Sequence, residues 1–435
     1  MPVPAALARA RAELPPAVEQ VLRTLAAAGH RSWIVGGVVR DVLLGRHREA
    51  HDYDLATPAT PDEVTALFRR VVPTGAAHGT VTVVLGGEAI EVTTFRGEGA
   101  YVDGRRPGSV TFLAELEADL ARRDFTMNAL AWDPLAPDFR DPFGGQEDMR
   151  RRLVRAVGDP RARFAEDGLR PMRAVRFAAQ LGYDLEPATR EAIREALDVV
   201  RKVSVERICD ELDRLVVAPH APAALGLMRA TGLLGVVLPE LAAAPSSLVD
   251  HAVAVLAGVP AVPALRLAAL LHVLPAAEAE RILVALRQPR RISDGVAALL
   301  RAHGCRARDP APPLPRTARE LRRWLSAVGL ERAEPLLALA DAEAGALPPA
   351  AARAARDEVA RLASEVDALL RARPPLFPQD LALDGRAVMA LLGAGPGPHV
   401  GEALRHLLDR VIDEPDRNDP AVLEAELRAW WAART

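Results

Sequence analysis

The stretch "HDYDLAT", residues 51–57, sets two aspartates one residue apart in a short run of apolar residues and Thr. In an extended strand, positions i and i+2 face the same side, so Asp52 and Asp54 would stand side by side and repel. Such a pair is held by a shared proton, an arginine or a divalent metal; the alternative is a solvated edge strand. A second stretch, "IVGGVVRDVLLG" at 34–45, runs a strand into Gly36-Gly37 and then into a helix. Glycine lets backbone approach a ligand closely, and a new helix points free N–H groups outward, as a phosphate cradle needs. Arg40 and Asp41 fall on its first turns. A phosphate cradle beside a carboxylate pair is the layout for metal-assisted nucleotidyl transfer, with two Mg²⁺ ions on Asp52 and Asp54. Magnesium suits oxygen-only ligands, and no His/Cys cluster with zinc spacing competes. Glu91 in "EAIEVTTF" is a candidate third acid near the metals, or a surface glutamate on an edge strand.

Two further stretches carry ligand-reading chemistry. In "RRDFTMNAL", 122–130, Arg123 and Asp124 are suited to a triphosphate and a sugar hydroxyl; the other reading is Asp124 capping a helix over a buried Asn128. In "EDGLRPMRAVRFAAQLGY", 166–183, Asp167 and Arg170 are three apart, hence expected on one helix face, where an ordinary ion pair is the simple explanation. The same pair also matches a base edge. The carboxylate accepts from an exocyclic amine and the guanidinium donates to a ring acceptor, as cytosine and adenine present them and uracil and guanine do not. Asn128, Arg173 and Arg176 join the candidate nucleotide-binding set.

These residues must be positioned by a chain of 435 residues, long enough for two to four structural units. The net charge is −3, so a nucleic-acid partner would be held by a local basic stripe. Between 150 and 176 lie Arg150, Arg151, Arg152, Arg155, Arg161, Arg163, Arg170, Arg173 and Arg176 against Asp159, Glu166 and Asp167. Nine minus three leaves six positive charges, enough to track phosphates, although a solvated arginine-rich face reads the same way. Lys202 is the single lysine, a bias of GC-rich coding. Cys209 and Cys305 form no motif. The N-terminus lacks the apolar run of a signal peptide, and the longest apolar stretch, 252–265, is short and broken by prolines. The expectation is a cytoplasmic enzyme or binding protein without a membrane span.

Strands are expected at "SWIVGG", "HDYDLAT", "GTVTVVLGG" and "EAIEVTTF", and a helix at "PDEVTALFRR" opened by Pro61. After about residue 146 the strand signals stop and Ala/Leu/Arg helices follow. "ARDPAPPLPRTARE", 307–320, reads as a linker, and "RARPPLFPQDLA", 371–382, as the start of another unit. The segment 95–112 carries Gly97, Gly99, Gly104 and Gly108 and reads as a mobile loop or an ordinary solvated one.

The motifs "VGGVVRDVLLG", "HDYDLAT", "RRDFTMNAL", "DPFGGQEDM" and "EDGLRPMRAVRFAAQLGY", in this order over residues 33–183, resemble the bacterial class II CCA-adding tRNA nucleotidyltransferases and their poly(A) polymerase relatives. The resemblance implies an α+β fold: a polymerase-β-like nucleotidyltransferase head with a mixed sheet at 1–145, a helical neck with the base-selecting motif at 146–215, a helical body at 216–330 and a tRNA-binding helical tail at 331–435. It implies metal binding by Asp52 and Asp54, ribose and triphosphate contacts from Arg123 and Asp124, and base selection by Asp167 and Arg170 with Glu166 holding the arginine. The partners it implies are the tRNA 3′ end, CTP and ATP; no membrane and no stable protein partner are expected. "DLALDGRAVMALLGAGPGPHVGEALRHLL", 380–408, resembles the family's tail segment.

Within the family, full CCA addition is expected first, and addition of only the terminal A beside a separate CC-adding enzyme second. The full length of 95–112 weighs against CC-only addition, and the absence of basic extensions weighs against poly(A) synthesis. A phosphohydrolase of the His-Asp type is a further class, suggested by His251 and His272. It is disfavoured because Val273 follows His272 where an aspartate is needed.

Overall fold

The computed structural model describes residues 2–46, 53–98, 110–112, 115–307 and 314–434. Among them, no helix is long and apolar enough to cross a membrane. The chain divides into two compact units, 1–243 and 244–435.

The first unit is built on β1 (Trp33–Val35), β2 (Asp54–Thr57), β3 (Val71–Gly75), β4 (Thr80–Leu85), β5 (Glu88–Thr94), β6 (Arg96–Glu98), β7 (Val110–Phe112), β8 (Ala131–Asp133), β9 (Asp138–Arg140), β10 (Leu153–Val154) and β11 (Asp184–Leu185). Seven of these form one sheet in the order β3-β4-β5-β2-β1-β8-β9. It is mixed: β2 and β5 are parallel, and the other pairs antiparallel. β1 and β2 at its centre are almost fully buried, with Ile34, Val35, Leu55 and Ala56 at 0–1 % exposure, whereas β5 alternates, with Ile90 and Val92 inside and Ala89 and Glu91 exposed. The helix Pro61–Leu67 opens with a capping box between Thr60 and Glu63, as the Pro61 signal suggests.

Three expectations change here. Strand signals do not end at 146, because β10 and β11 form a short parallel ladder inside the helical stretch. Two-residue strands are too short to show a period of two in sequence. "RRDFTMNAL" is not a helix: a single 3₁₀ turn, Thr126–Asn128, leads directly into β8. The ends of the 95–112 segment pair as an antiparallel ladder, Arg96 opposite Phe112 and Gly97 opposite Thr111. Gly99, Gly104 and Gly108 lie outside the described residues, as do 308–313 of the expected linker.

The second unit is helical. One apolar core joins Leu321, Leu325, Leu362 and Val366. Another joins Val388, Ala403, Leu407, Val411, Leu423 and Leu427 across the helices Gly385–Leu392, Pro398–Asp413 and Pro420–Ala432.

Candidate active site

Asp54 is the first residue of β2, half-buried, and Glu91 of β5 is its register partner across a parallel pair. The two carboxylates therefore leave the sheet on the same side. Asp52 lies outside the described residues. β1 runs antiparallel to β2 with Trp33 opposite Ala56 and Ile34 opposite Leu55. Continuing that register sets Val35 beside Asp54, so the Gly36-Gly37 turn leaves the sheet at the acidic end of β2. Gly36 has φ +77°, and a Cβ there would stand 2.9 Å from Arg123 Nη1. The backbone angle strains any residue but glycine, and a side chain would also have to displace the Arg123 guanidinium. The Gly36 N–H donates to the Leu130 carbonyl (3.2 Å), tying the turn to the end of the 122–130 motif. Gly37 opens the helix Gly37–Leu43.

Behind the turn lies a chain of charged groups. Arg40, 9 % exposed, donates to both Asp41 oxygens (2.8 and 3.0 Å) and to Asn128 Oδ1 (2.8 Å). Asn128 in turn donates through Nδ2 to Asp124 Oδ1 (3.0 Å), which also accepts the Phe125 N–H (2.8 Å). Asp124 Oδ2 accepts from Arg173 Nε and Nη2 (2.9 and 2.6 Å). Arg173 Nη1 is 3.9 Å from Glu211, which is also bonded by Arg176. The Arg176 guanidinium lies over the Phe177 ring at 3.9 Å, and that ring meets Phe125 edge-on. So Asp124 is neither a helix cap nor a lone acid: it joins the head to the helix Arg170–Leu181. Arg123 reaches the same turn from the other side, donating through Nη1 to the Asn128 carbonyl (3.5 Å) with Nη2 3.5 Å from the fully buried Asp119.

Burial alone would raise the Asp124 pKa. The Arg173 charge and the Asn128 hydrogen bond outweigh it and bring it down to about 2. A carboxyl depressed in the fold stabilises it above the unfolded value and loses that contribution as pH falls toward the folded one. The shift from 3.8 to about 2 is equivalent to about 2 kcal/mol. The stability gap between the wild type and Asp124→Asn is therefore expected to be widest above pH 5 and to narrow by about half of this increment near pH 3. Denaturant midpoints of both proteins across that range check it. A gap that stays constant would mean that Asp124 does not titrate in the folded protein at a depressed pKa.

Asp167 and Arg170 are arranged differently from a helix-face ion pair. Asp167 is the C-cap of the helix Pro160–Glu166, with φ −136° and ψ 107°, and Arg170 starts the next helix. They do not share one helix, because Gly168 turns the chain between them, packed so tightly that a Cβ would stand 2.7 Å from the Val199 carbonyl. Each is held by groups other than its presumed partner. Asp167 Oδ2 accepts from Arg207 Nη2 (2.9 Å), and Oδ1 accepts the Leu169 N–H (3.0 Å). Arg170 Nη1 donates to Glu166 (2.8 Å) and to the Arg163 carbonyl (3.1 Å), and Nη2 to the Arg122 carbonyl (3.0 Å). The last bond links the helix Arg170–Leu181 to the 122–130 motif. Arg207 and Glu211, both on the helix Val205–Val216, carry no signal in sequence. They sit four apart on an amphipathic helix that is otherwise read simply as packing.

The basic stripe is also altered. Seven of its nine arginines have carboxylate partners: Arg150 with Glu147, Arg155 with Asp148, Arg161 with Glu195, Arg163 and Arg170 with Glu166, Arg173 with Asp124, Arg176 with Glu211. Most of these acids lie outside 150–176, so the segment's sixfold excess does not survive folding as free charge. The motif "DPFGGQEDM" has a positioning job. Asp141 accepts the N–H groups of Gly145 and Gln146 (2.6 and 2.9 Å), and Asp148 accepts from Thr126 Oγ1 (2.7 Å). A Cβ on Gly145 would fall 2.3 Å from the Thr126 carbonyl.

With this geometry, comparison with known proteins is decisive. A family profile described as "Poly A polymerase head domain" matches residues 32–155, and one described as "Probable RNA and SrmB- binding site of polymerase A" matches 182–244. The CCA-adding enzyme of Geobacillus stearothermophilus is 38 % identical over 414 residues, covering 95 % of this chain and 96 % of that protein. The chain belongs to the family of CCA-adding enzymes and poly(A) polymerases. The CCA-adding enzyme of Lactobacillus helveticus is 50 % identical over 213 residues, 49 % of this chain and 53 % of that protein. The crystal structure of the Bacillus stearothermophilus CCA-adding enzyme in complex with CTP superposes with a TM-score of 0.76 at 34 % identity, covering 97 % of this chain and 99 % of that one. Nucleotidyltransferases of this family use divalent metals. The oxygen donors at the end of β2 fit such ions: Asp54 and Glu91 project together from adjacent strands.

Proposed function

We propose that this chain adds C, C and then A to tRNA 3′ ends, taking CTP and ATP and releasing pyrophosphate without a nucleic-acid template. The observation that carries it is the placement of the Gly36-Gly37 turn at the acidic end of β2, within a chain similar along its whole length to a CCA-adding enzyme. The metal is Mg²⁺, held by Asp52 and Asp54 with Glu91 as a third carboxylate; it supplies activation of the attacking hydroxyl and neutralisation of the triphosphate. Gly36, Gly37 and Arg40 cradle the triphosphate. Arg123 grips its phosphate side, and Asp124 with Asn128 sets the sugar side. Asp167 and Arg170 read the base edge. Glu166 holds Arg170, while Arg173 and Arg176 keep the helix beneath in register. In this reading the chain has a catalytic head (1–145), a base-selecting neck (146–215), a body (216–330) and a tail (331–435) that holds the tRNA. A tRNA end and nucleoside triphosphates are cytoplasmic substrates, so we assign the chain to the cytoplasm, acting without a stable protein partner.

The experiment uses three tRNA transcripts, ending before CCA, after C and after CC, each given Mg²⁺ with CTP, ATP, UTP or GTP alone and with CTP plus ATP. All three are expected to grow to a single CCA end. Extension of only the CC-ended tRNA, by one A, would make the chain a terminal-A enzyme working with a separate CC-adding one. Long A tails would make it a poly(A) polymerase, and no incorporation would overturn the assignment.

A further inference from the structure

The helical unit 244–435 buries a set of polar groups that nucleotidyl transfer does not use. His251 lies on the helix Ser246–Gly258, and His272 caps the helix Pro263–Leu271. His303 ends the helix Arg290–His303, Cys305 follows two residues later, and Glu343 lies on the helix Leu330–Gly345. His272 is 3 % exposed, Cys305 1 % and Glu343 1 %, and the His251 side chain is 8 % exposed. One donor atom each from His251, His272, Cys305 and Glu343 lie within 4.8 Å of one another. Along the chain His272 lacks the adjacent carboxylate of a His-Asp pair; the fold brings a carboxylate from a distant helix.

The hydrogen bonding of the cluster is incomplete in a specific way. The Nε2 atoms of His251, His272 and His303 and Oε2 of Glu343 are buried without a hydrogen-bond partner. His303 Nε2 approaches Glu343 Oε2 to 3.3 Å and His251 Nε2 approaches Oε1 to 3.9 Å, neither with hydrogen-bond geometry. A buried polar atom whose valence nothing fills is destabilising, so four of them facing one another point to a ligand. His272 Nδ1 lies 2.7 Å from the Ala269 carbonyl. That oxygen only accepts, so Nδ1 carries the proton and the lone pair of Nε2 faces the cluster, the tautomer a metal-binding histidine needs. Glu343 Oε1 accepts the Arg306 backbone N–H (2.5 Å). The Arg306 guanidinium stands 3.7 Å from Oε2 and also meets Glu358 at 3.3 Å, so its charge is shared.

We propose that His251, His272, Cys305 and Glu343 form a four-coordinate site for one zinc-type divalent transition metal. Two imidazoles, a thiol and a carboxylate are a mixed nitrogen, sulfur and oxygen donor set, which selects zinc and disfavours magnesium and calcium. Bonds of about 2.0–2.3 Å in a tetrahedron set ligand atoms about 3.3–3.8 Å apart, so the widest spacing closes by about 1 Å on binding, within reach of side-chain rotation. With four protein donors the site is closed and its role structural, pinning three helices and the segment after His303 to one point. Binding releases the Cys305 proton to solvent, and the Nε2–H of His303 then donates to the Glu343 oxygen that stays off the metal.

The test uses the full chain carrying Asp54→Ala, so that the nucleotidyl-transfer metals do not contribute to the count. About one zinc per chain is expected by elemental analysis after gel filtration. Replacing zinc by Co²⁺ should give visible bands with a thiolate-to-metal charge-transfer band that Cys305→Ser removes and Cys209→Ser does not. Stripping the metal should lower the melting temperature of this unit by about 5–10 °C, and added Zn²⁺ should restore it. Zinc that is absent and gives no thermal shift when added would overturn the site. So would a Co²⁺ spectrum unchanged by Cys305→Ser. Should that variant not fold, the Co²⁺ spectrum and Zn²⁺ shift of the parent chain still decide: a thiolate band with a shift supports the site, and lack of either removes it.

Discussion

Asp54→Ala is expected to lower nucleotide incorporation by about 10³-fold or more while leaving tRNA binding unchanged. The neutralisation of a transferring phosphoryl group by metal is worth several kcal/mol, and each 1.4 kcal/mol is tenfold in rate. Asp54 is half-buried at the first position of β2, and the strand is carried by Leu55, Ala56 and Thr57, all at 0 % exposure. The substitution therefore removes an oxygen donor and spares the sheet. Single-turnover incorporation of CTP, with tRNA affinity measured in parallel, separates the two effects. Near-normal incorporation would remove the metal assignment. Glu91→Gln is the graded control. A third acid that touches or orients the metals costs about 10–100-fold, most of it recovered at high Mg²⁺, whereas a surface glutamate costs nothing.

The second large effect concerns the choice of nucleotide. A site built to hydrogen-bond a base edge rejects a mismatched edge by about 10⁴-fold, because wrong partners leave buried polar groups unpaired. Asp167→Ala and Arg170→Ala are each expected to erase most of the discrimination against UTP and GTP, read as the ratio of kcat/KM for CTP to that for UTP. If both variants kept full rejection, base reading would belong elsewhere. The structure adds a refinement. Arg207 donates to Asp167 and Glu166 accepts from Arg170, so Arg207→Ala and Glu166→Gln should blur selection without touching the base. Of the two, Glu166→Gln is the milder, since Arg170 keeps its bonds to the carbonyls of Arg163 and Arg122.

The sequence by itself was enough for the strands that carry the acids and the glycine turn beside them. β1, β2, β4 and β5 are runs of β-branched and apolar residues bounded by glycine, prolines or polar residues, and such local patterns survive without knowledge of the rest of the chain. The order of five motifs carried the family, and with it the expectation of a nucleotidyltransferase head followed by helices. What the sequence did not determine is which charges meet. Asp124 and Arg173 are 49 positions apart, Asp167 and Arg207 40, and Arg176 and Glu211 35. Ion pairing follows proximity in space and leaves no period along the chain, so a basic segment that counts as sixfold positive folds into one whose arginines are mostly paired. The short ladder of β10 and β11 and the Asp167–Gly168 turn escaped for a related reason. A two-residue strand or a three-residue turn is decided by what packs against it, here the Val199 carbonyl and the Val203 side chain beside Gly168. Glu343 makes the same point most sharply. His251 and His272 could be suspected from the sequence, but nothing beside Glu343 suggests a ligand set, and only the packing of separate helices gathers these donors within one buried volume.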